Sequence, residues 1–283
     1  MRHEDGGMSA KVVMGTVRTV TSLTNPLVKS LRALHLKKYR DETGLFLAEG
    51  LQLVRYAFAA NWKIETLVCA VGGLDERVIA DAAAQTKVAG GTVLQVPASV
   101  LAKIARRDNP QAVLGVFRQR FGNLAKVGEL HGGSGLWVAL ERIRDPGNLG
   151  TIIRTADAAG AEGVVLIGES CDPFSSESVR ATMGSIFHVP VARARESDFI
   201  DHAKASPARF IGTHLTGAVD YRKAEYRPPC VLVMGNEQKG LSDALAGACD
   251  QLVRIPMAGR AESLNLAVAA GLMIYEARRG TLP

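Results

Sequence analysis

Val231-Leu-Val-Met-Gly-Asn-Glu-Gln-Lys-Gly240 carries an unbroken apolar run straight into a turn bracketed by two glycines, the pattern of a strand buried on both faces that ends where a loop folds tightly. Two other stretches share that context. Asp145-Pro-Gly-Asn-Leu-Gly150 follows Trp137-Val-Ala-Leu140 after a short polar step, and Ala258-Gly-Arg-Ala-Glu-Ser-Leu-Asn265 follows Leu252-Val-Arg-Ile-Pro256. In open α/β sheets ligands lie in the crevice beyond the carboxyl ends of the strands, and glycine lets backbone come close, so function is expected at these three turns.

Outward from them, strand and helix signals alternate. Strands are expected over 136–140, 164–167, 189–191, 210–212, 231–234 and 252–255, with helices over 151–159, 176–183, 197–205, 242–248 and 262–278. Such alternation predicts a mostly parallel sheet with helices on both faces, in a domain spanning residues 136–283. Residues 121–135 collect Gly122, Gly128, Gly132, Gly133 and Gly135 with few large apolar side chains, which is the composition of a linker. Before it, residues 18–120 read as a small α/β domain. Its first helix starts near Thr24, with Asn25 as N-cap and Pro26 at the first helical position; a second ends near Ala60. Strands over 64–70, 92–96 and 112–117 and helices over 75–84 and 98–104 complete it, and residues 1–17 read as a loose leader.

Projected at roughly 100° per residue, Leu27, Leu31 and Leu34 form one stripe, with Lys29, Arg32, Lys37 and Arg40 opposite or on its flank. This basic face is either a solvated helix surface or a set of phosphate contacts. The formal net charge of +6 over 283 residues is compatible with a polyanionic partner. No apolar run reaches the length of about 18 residues that a membrane span needs, and Met1 to Gly7 lacks the apolar core of a secretory signal, so a cytoplasmic protein is expected. Cys69, Cys171, Cys230 and Cys249 have no C-x-x-C spacing and no histidine cluster beside them; neither a metal site nor a disulfide framework is expected.

Several polar residues in the turns have a bland reading beside a sharper one. Asn148 suits a helix cap, and Arg154 suits an i, i+3 pair with Asp157. Glu237 is either a turn carboxylate or a group that meets a ligand donor. The turn holding it is not a phosphate-binding P-loop, because Lys239 precedes the second glycine instead of following it. Ser263 and Asn265 flank Leu264 at the start of the last helix, where Leu264, Val268, Gly271, Leu272 and Tyr275 share a face expected to pack in the core or against a partner. No paired aromatic platform for base stacking is visible in the sequence.

Asp145-Pro-Gly-Asn-Leu-Gly-Thr-Ile-Ile-Arg-Thr-Ala-Asp157, Val233-Met-Gly-Asn-Glu-Gln-Lys-Gly-Leu-Ser242 and Ile255-Pro-Met-Ala-Gly-Arg-Ala-Glu-Ser-Leu-Asn-Leu-Ala267 resemble, in order, the three motifs of the SpoU (TrmH) RNA ribose 2′-O-methyltransferases of the SPOUT superfamily. Ser178-Val-Arg-Ala-Thr-Met-Gly-Ser-Ile-Phe-His-Val-Pro-Val191 also looks like that family, and residues 25–50 resemble, more loosely, the substrate-binding domain often placed before it. The resemblance implies a trefoil knot at the carboxyl end, a homodimer formed across the same region, and S-adenosylmethionine held against Gly235, Ile255, Met257 and Leu264, mostly through backbone. It assigns catalytic or substrate-orienting roles to Asn148, Arg154, Glu237, Ser263 and Asn265. Lys29, Arg32, Lys37 and Arg40 become candidate RNA contacts. Arg260 falls in a variable part of the third motif. The substrate implied is ribosomal RNA first and transfer RNA second, with no metal. An RNA-binding ribosome assembly factor without catalysis is the nearest rival; a nicotinamide or nucleotide enzyme lacks its G-x-G-x-x-G fingerprint here.

Overall fold

The computed structural model describes residues 14–130, 133–214 and 219–282, which divide into two compact units. In chain order the first elements are β1 (Val17–Thr19), α1 (Pro26–Ala33), α2 (Lys37–Thr43), β2 (Leu45–Glu49), α3 (Leu51–Ala59), β3 (Ile64–Ala70), α4 (Arg77–Val88), β4 (Thr92–Val96), α5 (Ala98–Ala105) and β5 (Val113–Arg118). The smaller unit comprises the described residues up to Leu34 together with Leu47–Arg118. Its sheet has the order β1-β4-β3-β5-β2 and is mixed, β3 being parallel to β4 and antiparallel to β5. Val54, Ile64, Val68, Val93, Leu94, Ile104 and Phe117 are shut off from solvent at its centre.

Two expectations for this half change. Most of the leader, residues 1–13, lies outside the described residues, but Val17–Thr19 pairs in register with Val93–Gln95 and so belongs to the sheet. The single amphipathic helix is two. Asn25 caps α1 as its sequence suggests, accepting the Leu27 N–H, but Leu36 takes an extended conformation (φ −95°, ψ 129°) between α1 and α2. The break resets the helical phase, so one projection cannot describe both halves. The segment His35–Phe46, with α2, packs in the larger unit.

The larger unit continues with β6 (Leu136–Glu141), α6 (Pro146–Ala158), β7 (Gly163–Ile167), α7 (Ser176–Ala181), β8 (Val191–Ala194), α8 (Glu196–Ala205), β9 (Arg209–Thr213), β10 (Val219–Asp220), β11 (Cys230–Met234), α9 (Asp243–Ala246), β12 (Gln251–Arg254) and α10 (Leu266–Ala277). Its seven strands run in the order β10-β12-β9-β11-β6-β7-β8, and every adjacent pair is parallel. Both faces are covered, which is why the strands read as continuous apolar runs and not as alternation. Trp137, Ala139, Val165, Ile167, Phe210, Val231 and Val233 join Phe199 and Ala203 of α8 and Leu245 of α9 in one core cluster. Strand periodicity turns Val138, Leu140, Leu232 and Met234 to the opposite face, where the buried side chains of α6 and α10 lie.

The supposed linker is partly packed structure: Val127 is fully buried in that same cluster and Gly122 makes a backbone bridge to Ala192, while residues 131–132 lie outside the described residues. Strand order reverses between β6 and β11. The chain leaves β6 toward β7 on one side and leaves β11 toward β12 on the other, so their carboxyl ends flank a topological switch point, the usual ligand crevice of such sheets.

Candidate active site at the β6–β11 switch point

The first turn is not a loop before a helix but the opening of the helix itself. α6 begins at Pro146, and its cap is Asp145, whose carboxylate accepts the Asn148 N–H at 2.6 Å. Proline at the first position costs no hydrogen bond there. Asn148 therefore does not cap α6; its side chain is left to accept a hydrogen bond from Asn265 Nδ2 at 2.9 Å, joining the first turn to the third. Gly150 is where α7 comes closest, since a Cβ there would lie 2.4 Å from Ala181 Cβ and 2.5 Å from the Ser178 carbonyl.

The second turn is held from two sides. Asn236 and Gly240 exchange backbone hydrogen bonds at 3.0 and 2.9 Å, and the Asn236 side chain accepts from Gln238 N–H while donating to the Arg142 carbonyl at 2.8 Å. Glu237 Oε1 receives the Arg144 and Asp145 amides, both long at 3.4 Å, so this carboxylate ties the second turn to the first. Behind it, Glu141 is 2% exposed and accepts the Ser242 N–H at 2.8 Å, with Arg142 beside it at 3.6 Å. Gly235 has its own steric reason: a Cβ there would stand 2.0 Å from Leu241 N, so the close approach it permits is by its own chain. Burial, then the carboxylates of Glu237 and Asp145, push the Cys171 thiol up to about 12.

The third turn starts α10 four residues later than expected. Asn265 is its N-cap, its side-chain oxygen accepting from the amides of Ala267 and Val268 at 2.9 and 3.3 Å. Among the described residues, the main chain of residues 255–264 makes no hydrogen bond to other main chain. That leaves a run of amides and carbonyls beside the switch point for a ligand read through backbone, which fits the donor and acceptor set of S-adenosylmethionine. Ile255 and Leu264 are half-buried there, whereas Met257, Arg260 and Ser263 are exposed.

α6 and α10 lie side by side: beyond the Asn148–Asn265 contact, Arg278 Nε donates to the Ala159 carbonyl at 3.0 Å. The face of α10 expected in the core points outward instead. Val268, Leu272 and Tyr275 are 53%, 39% and 48% exposed, and the buried side is Leu266, Ala267, Ala270, Met273 and Ile274. Arg154 lies six residues beyond Asn148, about 9 Å along the helix axis, exposed with Thr151 and Ala158. It makes no ion pair among the described residues; Asp157 faces His188 at 3.5 Å.

The structure thus joins Asn148 with Asn265, and Glu237 with the first turn; Arg154 and Ser263 stand apart from these bonds. Glu141, Asn236 and Asp145 are the site-building residues that sequence reasoning left unassigned; Asp145 was legible as an aspartate just before a helical proline. Of the basic residues nominated for RNA, Lys29 and Arg32 are exposed on α1, and Lys37 is exposed on α2 but paired with Asp41. Arg40 is a correction. It is 3% exposed, with its guanidinium on Asp172 at 2.7 and 2.8 Å, because a carboxylate buried at that depth needs a counter-charge. Among the described residues no cluster of three or more His, Cys, Asp or Glu is placed to hold a metal, and no helix is long and apolar enough to cross a membrane.

Comparison with known proteins agrees with this geometry. Residues 135–275 match the model of the SpoU rRNA Methylase family and residues 25–115 that of the MRM3-like substrate binding domain. A Bacillus subtilis protein named 23S rRNA (guanosine(2553)-2′-O)-methyltransferase RlmP is 32% identical over 93% of this chain and 100% of its own. A crystal structure of an AdoMet-bound rRNA methyltransferase from Sinorhizobium meliloti superposes with TM-score 0.89 at 54% identity, over 94% of this chain and 99% of that one. The AdoMet complex of the SpoU methyltransferase AviRb from Streptomyces viridochromogenes superposes with TM-score 0.78 at 30% identity, over 91% and 98%. Motifs, all-parallel sheet and a likeness that spans 91–94% of the chain lead to one conclusion, that this chain belongs to the SpoU rRNA methylase family.

Proposed function

We propose that the protein transfers a methyl group from S-adenosylmethionine to a ribose 2′-hydroxyl of RNA, ribosomal RNA in the first place, in the cytoplasm and as a homodimer. One observation carries this reading: three turns lashed together at the switch point beside a stretch whose main chain, among the described residues, makes no hydrogen bond to other main chain, with an exposed arginine on the adjoining helix. S-adenosylmethionine supplies a methyl carbon already made electrophilic by its sulfonium. The chain's task is alignment, which in favourable cases lowers a barrier by about 7–11 kcal/mol. Gly235, Ile255, Met257 and Leu264 hold the coenzyme. Asn148, Ser263 and Asn265 orient the ribose, and Glu237 keeps the first two turns in register.

Arg154 binds the phosphate next to the reacting sugar through its planar fork and offsets the negative charge that develops on the hydroxyl oxygen. It is not the base, because a guanidinium carries only N–H donors and offers no lone pair to receive the hydroxyl proton. Lys29 and Arg32 contact RNA backbone from the smaller unit. The outward face of α10 is where a second copy docks: Val268, Leu272 and Tyr275 form an apolar stripe beside the exposed stripe of α6 that carries Arg154. Leu272→Glu should yield monomers in sedimentation velocity; a dimer that persists removes this face as the interface. The return of the chain from β12, beyond β9 and β11 in the sheet, to Asn148 after β6 supports a trefoil knot at the carboxyl end.

Incubating the protein with methyl-labelled coenzyme and total RNA, then mapping alkali-resistant linkages, tests the reaction, since a 2′-O-methyl group blocks cleavage at its own position. RNA bound without label transferred is the result expected of an assembly factor and would overturn the proposal.

A further inference from the structure

We propose that a groove at the carboxyl ends of β7 and β8 holds an unpaired nucleobase of the substrate RNA, stacked on the guanidinium of Arg193. The groove, about 740 Å³, is lined by Asn123, by Gly168 and Glu169 after β7, and by Arg193, Arg195 and Glu196 where β8 meets α8. All of these belong to the larger unit.

Arg193 is built as a platform. Its guanidinium carbon lies 4.0 Å from the centre of the Phe121 ring, and that ring rests edge-on against buried Phe174 at 5.2 Å. Arg193 also reaches Asp172 Oδ1 at 3.5 Å, and Asp172 is itself fixed by buried Arg40 and by the Phe174 amide at 2.9 Å. Arg193 lines the groove and Phe121 does not, and the Arg193 side chain keeps 41% of its surface exposed; the proposed stack therefore puts the base on the guanidinium face away from the ring. Unstacked RNA bases lie on planes of this kind, and a lysine offers none.

The charge pattern argues against a plain phosphate track. Arg195 is matched to Asp198 by two hydrogen bonds of 2.8 Å, and the Arg142 guanidinium is matched to Glu196. Glu169 is exposed and makes no hydrogen bond or ion pair among the described residues. A carboxylate offers two acceptor oxygens, which suits a base with adjacent N–H donors on its Watson–Crick edge, guanine before the others. The groove also adjoins the switch-point site. Arg142 packs across Gly168, with its Cγ 3.2 Å from the position of a Cβ there, while its carbonyl accepts from Asn236. The base held belongs to a nucleotide close to the reacting ribose. This inference rests on the reading of the substrate as RNA.

Short single-stranded oligoribonucleotides, all-uridine or with one guanosine, titrated into the full chain by fluorescence anisotropy provide the test. S-adenosylmethionine affinity and melting temperature are read alongside. The guanosine oligonucleotide should bind more tightly than its all-uridine counterpart. Arg193→Lys should weaken its binding about tenfold, and Glu169→Gln should abolish the preference for guanosine, both with coenzyme affinity and melting unchanged. Equal binding of the guanosine oligonucleotide by both variants and the unaltered chain overturns the proposal, as does an unaltered chain that does not discriminate the two. Failure of the unaltered chain to take up S-adenosylmethionine is a separate result, read in its own titration, and counts against the methyltransferase reading itself.

Discussion

The two sheets of this protein put their strand ends to different uses. In the larger unit all seven strands are parallel, so every strand-to-helix turn leaves from one edge, and the turns after β6, β11 and β12 are close enough to hydrogen-bond one another through Glu237, Asn236, Asn148 and Asn265. In the smaller unit β5 runs against β3, so the turns divide between two edges. Parallel topology gathers polar turn residues into one place, and the reversal of strand order between β6 and β11 opens the crevice they surround. A mixed sheet of five strands supplies a fold and an exposed surface but no such concentration.

Arg40 carries the heaviest penalty for the larger unit. This residue falls early in the chain yet is packed in the larger unit, and Arg40→Ala would leave the buried Asp172 with only the longer 3.5 Å contact from Arg193 as counter-charge. A loss of about 3–5 kcal/mol in denaturant unfolding is expected; a loss below 1 kcal/mol would mean that the segment 35–46 is not integral to that unit. Next in size is Arg154. Arg154→Ala should lower kcat for methyl transfer by about 10²–10³ with coenzyme affinity intact, and Arg154→Lys should recover little, because charge remains but the fork does not. Wild-type rates for the lysine variant would remove the fork from the mechanism.

Gly235→Ala is a smaller perturbation of stability, about 1–3 kcal/mol, but one delivered to the centre of the site, where the added methyl meets Leu241 N. Calorimetry should find S-adenosylmethionine uptake weakened together with the melting temperature; unchanged uptake would mean that the second turn does not touch the coenzyme. The smallest effect belongs to the other unit. Lys29→Ala with Arg32→Ala should reduce the slope of log affinity against log salt by about one per residue and leave coenzyme uptake alone. An unaltered slope would return that face of α1 to being merely solvated.

The sequence was most legible where local chemistry and fold agree. Buried runs such as Val231-Leu-Val-Met234 announced the parallel strands, Asn25-Pro26 the start of α1, and three glycine-marked turns the place where the site is assembled. It was least legible wherever a side chain's fate depends on a distant partner. Asn148 has the look of a cap, but Asp145 already fills that role, and only the arrival of Asn265 from the far end of the chain shows what Asn148 is free to do. Helical periodicity fixed which residues of α10 share a face without saying which face is inward, since Val268, Leu272 and Tyr275 are as apolar as the side that is buried.

What the sequence determined by itself is the class of fold, the family, and the three segments in which the chemistry is sought, because strand length, apolar continuity and turn residues are properties of adjacent positions. Tertiary structure alone decided that Arg40 turns inward to Asp172, that Glu237 braces the first turn, and that Phe121 backs Arg193 beside the groove. Each of these pairs residues separated by many positions along the chain. Burial of a charge, the reach of a carboxylate and the stacking of a ring are settled by what the completed core brings within a few ångströms.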